Sequence, residues 1–264
     1  MSKKNITGQA VRGNDFFERP TLLRLLQRKI ESGSSVLISA PRRVGKTSLM
    51  LRLKDTGMEG YYFIYMITES VNNENEYYKR ILYEIFNTEF LTPLQKLSQK
   101  TARVIKDRAN RLTEVGKTLK FDPDTTLVYR DELIDTLKSI DLENKKIILL
   151  VDEFSQTIEN IIEDEGKNPA IHFLQGNREL RQNPEINGKI QFVFAGSIGL
   201  ENIVSRLDAV NLVNDLDTLK VNPLSLAEAH DLLLELIANK PFSLGKALRD
   251  YILDKIQWLI PYYI

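Results

Sequence analysis

Residues Ala40-Pro41-Arg42-Arg43-Val44-Gly45-Lys46-Thr47-Ser48 are the stretch of this chain whose types and spacing are most plainly suited to chemistry. They match the phosphate-binding loop G-x-x-x-x-G-K-[ST], with Ala40 in the place of the first glycine. In such a loop the backbone N–H groups converge on phosphate oxygens, and Gly45 lets the main chain come close to them. A helix starting at Lys46 turns its positive dipole end toward the anion. Lys46 then neutralises the β and γ phosphates, and the Thr47 hydroxyl ligates magnesium. Ala40 keeps a small side chain, which predicts a slightly altered start of the loop with binding retained. Arg42 and Arg43 read either as surface features of the loop or as contacts to nucleotide or a partner.

A second element is Ile147-Ile148-Leu149-Leu150-Val151-Asp152-Glu153, an apolar strand that delivers two carboxylates at its C-terminal end, where open α/β sheets bind ligands. Neighbouring strand residues point opposite ways, so Asp152 is expected to hold the magnesium shell through water. Glu153 then turns toward the γ-phosphate and polarises an attacking water. An acidic pair closing a strand is by itself more often a solvated turn; the upstream phosphate loop reverses that judgement. A third element is the strand Gln191 to Ala195 followed by Gly196-Ser197-Ile198-Gly199-Leu200. The Ser197 hydroxyl is placed to reach the attacking water or the γ-phosphate, and a simple turn serine is the competing reading.

These motifs need a sheet to carry them. Five short apolar runs are expected as strands buried on both faces: Ser35 to Ser39, Tyr61 to Met66, Lys146 to Val151, Gln191 to Ala195 and Thr218 to Val221. Between them, Leu22, Leu25, Leu26 and Ile30, then Tyr78, Ile81, Leu82 and Ile85, then Leu133, Ile134, Leu137 and Ile140 recur at helical spacing. The fold class is therefore α/β, a five-stranded, mostly parallel sheet flanked by helices. From Pro223 the character changes. Ser225 and Glu228 form a capping-box pair before an apolar helical run, and Leu244 to Ile260 is again helical in period. Residues 1–221 are read as the α/β core and 222–264 as a small all-helical lid. The abrupt apolar end, IPYYI, suggests a further module beyond it or else a docked natural terminus.

Composition narrows the classes. With 36 basic and 36 acidic residues among 264, the chain has no net charge, which excludes a tail-driven polyanion binder. Cysteine is absent, removing thiolate zinc sites and cysteine nucleophiles, and His172 and His230 are too few for an imidazole-rich metal centre and read as structural. No signal peptide or membrane-length apolar run is evident, so a cytoplasmic protein is expected. Residues 91–120 crowd eight Lys and Arg and read as a basic helical insert. It is either a solvated face or a patch for nucleic acid or an acidic partner.

Taken together, SAPRRVGKTSLM, ILLVDEF and FVFAGSIGLENI in this order resemble the AAA+ and STAND P-loop ATPases, especially the AAA-like ATPases of bacteria and archaea. The resemblance covers almost the whole chain and implies ATP or ADP with Mg2+. It also brings in Phe16-Phe17-Glu18-Arg19, similar to the family's hydrophobic-hydrophobic-Gly-Arg motif over the adenine, with Glu18 in place of the glycine. Pro261 is similar by position to the lid proline of the G-x-P motif, with Leu259 replacing its glycine. Arg206 lies near where AAA+ proteins place the arginine finger that reaches a neighbour's γ-phosphate, or is an ordinary surface arginine. A guanine motif N-K-x-D is absent, and no phosphate-acceptor site for a small-molecule kinase is evident. The expected function is an ATP-hydrolysing switch driving a linked C-terminal module or a recruited effector, with a homo-oligomer as the partner Arg206 implies. The alternatives are a nucleotide-gated scaffold with little turnover and an initiator-like DNA-binding ATPase.

Overall fold

The computed structural model describes residues 3–4, 6, 8–86, 103, 128–196 and 199–264. Five strands, β1 (Val36–Ser39), β2 (Tyr61–Ile67), β3 (Lys146–Asp152), β4 (Ile190–Ala195) and β5 (Asp217–Lys220), form one sheet in the order β2-β3-β4-β1-β5. Every pairing is parallel. Each expected strand is present, its ends displaced by a residue. Parallel neighbours require crossovers, and the inner strands β1, β3 and β4, covered on both faces, read as continuous apolar runs for that reason, whereas β2 and β5, expected to be buried likewise, stand at the sheet edges and are only partly buried.

Alternation along the strands divides the core in two. One face carries Val36, Ile38, Ile148, Leu150, Val193 and Leu219. It packs against Leu26 and Ile30 of α1 (Pro20–Glu31) and Leu49, Met50 and Leu53 of α2 (Lys46–Thr56). The other face carries Leu37, Ile147, Leu149, Val151, Phe192 and Phe194. It is covered by α3 (Glu74–Phe86), α4 (Tyr129–Ser139), α5 (Phe154–Asp164) and α6 (Lys167–Gln182). Phe154 of α5 tilts onto Phe194 with ring centroids 4.3 Å apart, and Tyr77 meets Phe173 edge-on at 4.9 Å. Helices α5 and α6 were not among the crossover helices read from periodicity, although Phe154, Ile158 and Ile161 lie on one helical face and are buried. A short helix, α7 (Leu200–Arg206), follows β4.

After β5 come α8 (Leu226–Ile237) and α9 (Lys246–Ile256), with their own apolar cluster of Leu224, Ala229, Leu232, Leu233 and Leu253. The capping box at the start of α8 is formed as read, Ser225 Oγ accepting from Glu228 N and the Glu228 carboxylate accepting from Ser225 N. The second helix stops earlier than its period suggested. Gln257 takes a left-handed φ of 59°, and Leu224 N donates to Leu259 O over 2.8 Å, turning residues 258–260 back along the start of the lid segment. Ile260 is buried at that turn. The basic segment 91–120 lies outside the described residues apart from Arg103. No described helix is long and apolar enough to cross a membrane.

Candidate functional site

The phosphate loop joins β1 to α2, with Gly45 as the residue before the helix at φ 99°, a left-handed value that a Cβ would strain. Leu49 N reaches Gly45 O at 2.9 Å as the first helical bond. The N–H groups ahead of it therefore lack intrahelical partners and are oriented to meet an anion. Lys46 is buried at 6% exposure, its Nζ donating to Pro41 O at 3.0 Å and Ala40 O at 3.3 Å. Burial pulls the Lys46 pKa down and the Glu153 and Asp152 carboxylates partly oppose this. A buried ammonium under that pressure is one that a polyphosphate would stabilise. Ser48 Oγ accepts from Val11 N at 3.0 Å and so ties the N-terminal segment to the loop helix.

Asp152 ends β3 on the same face as Ile148 and Leu150, the face that α2 covers. Alternation therefore aims its carboxylate at the phosphate loop. Thr47 Oγ1 donates to Asp152 Oδ2 at 2.6 Å, Tyr65 Oη donates to the same oxygen at 3.0 Å, and Glu153 N donates to Oδ1 at 3.0 Å. The carboxylate is 2% exposed. Burial, with the adjacent Asp152 carboxylate, pushes the Tyr65 pKa well up, so the phenol stays a donor. Behind it, Thr68 N and Oγ1 both donate to Asp152 O at 3.0 Å, and Thr157 Oγ1 donates to Thr68 O at 2.8 Å. These bonds lock the end of β3 to the loop after β2 and to α5. Glu153 takes a left-handed φ of 58° at the strand-to-helix turn, the kind of sparsely populated backbone that concentrates at functional sites.

A cleft of about 600 Å³ gathers most of the expected residues. Arg42, Arg43, Val44, Gly45, Lys46, Thr47 and Ser48 line it with Glu153, Phe16, Phe17, Arg19 and Pro261. Phe16 is 7% exposed. Glu18, standing where the resemblance has glycine, is ion-paired with Arg52 of α2 at 2.5 Å. Arg19 Nη1 donates to Asn222 O at 3.0 Å, and its Nε lies 3.5 Å from Glu228 of the capping box, so one arginine links the phenylalanine pair to α8. The Arg43 guanidinium lies 4.1 Å from the centre of the Tyr262 ring, a cation–π contact between phosphate loop and chain end.

Sequence reasoning missed part of this wall. Gln9, Ala10 and Val11 line the cleft, as do Leu232, Leu236, Tyr262 and Ile264. The N-terminal segment is polar and aperiodic and carried no signal. The lid residues were read only as the apolar face of a helix.

Ala40 and Pro41 open instead on an adjoining cavity of about 380 Å³, bounded by Ser155, Gly196, Gly199 and Lys220. Ser155 Oγ is buried there with no hydrogen-bond partner among the described residues. Ser197 lies outside the described residues. Arg206 ends α7, 62% exposed and ion-paired with Glu159 of α5, and is not part of the cleft wall. His230 Nε2 lies 2.9 Å from Asp250 Oδ1, between α8 and α9.

Among the described residues no group of three or more acidic or histidine side chains converges as a metal cage. Thr47 and the buried Asp152 fit the sparser protein shell of Mg2+, which uses one or two protein oxygens and relies on water and phosphates for the rest.

No protein-family model and no curated protein sequence matches the chain. Solved structures do. A Walker-type ATPase of Pyrococcus abyssi matches with a TM-score of 0.61 at 15% identity, over 96% of this chain and 67% of that one. Cdc6p from Pyrobaculum aerophilum matches with a TM-score of 0.54 at 14% identity, over 92% of this chain and 57% of its own. The ORC2 protein of Aeropyrum pernix in its ADP form gives 0.51 at 16% identity, over 89% and 55% respectively. The chain thus spans little more than half the length of the last two. The likeness shows the fold alone, the P-loop type of α/β core with a parallel sheet between helices.

Proposed function

We propose that the chain is a magnesium-dependent ATPase that works as a molecular switch, with ATP bound between the α/β core (1–221) and the helical lid (222–264). The observation that carries this reading is the 2.6 Å bond between Thr47 of the loop after β1 and Asp152 at the end of β3, across the intervening β4, beside a cleft that presents Thr47, Lys46 and Glu153. The loop amides and Lys46 hold the β and γ phosphates. Thr47 and Asp152 would hold the ion, which when bound draws charge from the phosphate oxygens as a Lewis acid. Glu153 accepts the proton of an attacking water, and Phe16 and Phe17 close over the base.

The switch follows from the cleft's construction. Pro261, Tyr262 and Leu232 belong to the lid segment, and Arg43, Lys46 and Glu153 to the core. Loss of the γ-phosphate removes the charge on which the core side of the cleft converges, and the joint through Arg43–Tyr262 and Arg19–Glu228 is then free to open. A linked module or recruited effector would take its state from that joint.

Thermal unfolding with ATP and magnesium tests the binding half. At 100 times the dissociation constant the parent chain should gain about 2.7 kcal/mol, and Lys46→Ala should gain nothing. Phosphate release tests turnover. Glu153→Gln should bind ATP as the parent does while releasing phosphate about 100-fold more slowly. A parent chain that binds ATP and releases no phosphate would establish the scaffold reading instead. Duplex DNA binding that falls steeply with salt would favour the initiator-like one.

A further inference from the structure

The phosphate-loop motif accounts for Thr47 at Asp152 but not for a second hydroxyl on the same carboxylate oxygen. Tyr65 lies in β2 opposite Leu150 of β3, two residues before Asp152 and on the same face. Its half-buried side chain leans along the strand, and its hydroxyl donates to Asp152 Oδ2 over 3.0 Å. With Thr47 Oγ1 at 2.6 Å on that oxygen and Glu153 N at 3.0 Å on the other, donors from β2, α2 and the β3–α5 turn fix both carboxylate oxygens. The terminal torsion of an aspartate is broad and roughly two-fold, so a carboxylate held from one side only swings readily. Thr47 belongs to the same loop and helix that must adjust to the nucleotide. Tyr65 belongs to the sheet, and its anchor does not move with the loop.

We propose that Tyr65 is a positioning residue for a divalent cation at Thr47 and Asp152, holding the Asp152 carboxylate from β2 in the orientation that receives the hydrated ion. The inference rests on the magnesium–nucleotide reading of the cleft. It assigns β2 a part in the site that the loop and the acidic strand do not supply. A hydrogen bond of this outer kind commonly changes metal affinity by about 10- to 100-fold when removed.

The experiment is a magnesium titration of ATP affinity by calorimetry on the parent, on Tyr65→Phe and on Tyr61→Phe, which removes a hydroxyl from the same face of β2 four residues earlier. Each is also measured in EDTA and by thermal unfolding. The expected result is that Tyr65→Phe raises the magnesium concentration giving half of the tightening by about tenfold. ATP affinity in EDTA should stay at the parent value and unfolding should stay cooperative, its midpoint lowered by no more than the loss of one hydrogen bond, with Tyr61→Phe unchanged throughout. If the parent tightens with magnesium and Tyr65→Phe needs no more of it, the positioning role is overturned and the cleft reading stands. An equal loss of ATP affinity in EDTA also overturns it, because the phenol would then be shaping the whole cleft. A parent chain whose ATP affinity ignores magnesium overturns the cation reading itself and this inference with it.

Discussion

A Cβ placed on Gly196 would stand 1.9 Å from Ser155 Oγ and 2.9 Å from its Cβ, closer than any real contact. Both positions lie at the C-terminal end of the sheet, Gly196 just after β4 and Ser155 at the start of α5, and Ser155 is 2% exposed. The glycine is therefore demanded by close approach and not by its backbone angle. Gly196→Ala is expected to destabilise the chain by about 1–3 kcal/mol through overpacking, seen as a lower denaturant midpoint. Ser155→Gly in the same chain should recover part of that loss, and the two changes should be non-additive. An unaltered midpoint for Gly196→Ala would mean that β4 and α5 do not approach as described. The same crowding explains why a strand-end glycine and a buried serine recur on either side of the cavity that Ala40 and Pro41 open on.

Among the elements, α6 is tied to the segment before β5 by a buried ion pair that carries no catalytic role. Arg181 Nε and Nη2 reach the two oxygens of Asp215 at 2.7 and 2.8 Å, Nη2 also reaches Leu212 O at 2.9 Å, and the Arg181 side chain is 3% exposed. Burial works to raise the Asp215 pKa, but the bonds and charge of Arg181 outweigh it and hold the carboxyl below its usual value. A depressed folded pKa contributes stability that is present above the unfolded pKa and lost as pH falls through the folded one. The parent should thus lose stability on acidification below about pH 4. Asp215→Asn, which strands a buried guanidinium, should cost about 2–3 kcal/mol at neutral pH and flatten that acid slope. Denaturant unfolding of both chains from pH 3 to 7 measures it. Equal acid slopes would remove the pair from the account of why β5 stays beside β1.

At the scale of the whole molecule, we propose that Arg206 completes the cleft of a second copy of the chain. It is exposed at the end of α7 and paired with Glu159, away from the cleft of its own chain. An exposed pair of this kind contributes little to stability, whereas an arginine on the transferred phosphoryl of a neighbour is worth roughly 10³ to 10⁵ in rate. Specific activity should rise with protein concentration, and Arg206→Ala should flatten the rise while leaving ATP affinity intact. Mixing Arg206→Ala with Glu153→Gln should restore turnover, since the second variant supplies Arg206 to a site that keeps Glu153. Activity that is independent of concentration and unaffected by Arg206→Ala would make the arginine an ordinary surface residue.

The amino-acid sequence alone determined what local chemistry encodes. The loop from Ala40 to Ser48 was legible because a tight anion-binding turn admits few residue types, and the inner strands β1, β3 and β4 because burial on both faces leaves short unbroken apolar runs. The capping box at Ser225 was legible because both partners lie within one helical turn. What only the tertiary structure decided depends on pairing across long stretches of chain. The order β2-β3-β4-β1-β5 is one such result. The placement of Tyr65 two residues short of Asp152 is another, since in sequence it is one more apolar strand residue. The N-terminal segment has no periodicity to read, and its place on the cleft is set by Val11 on Ser48 and Arg12 on Asp55. The early end of α9 is set in the same way, by Leu224 holding Leu259. Periodicity reports which face of an element is buried; which partner buries it is decided by the packing of the whole chain.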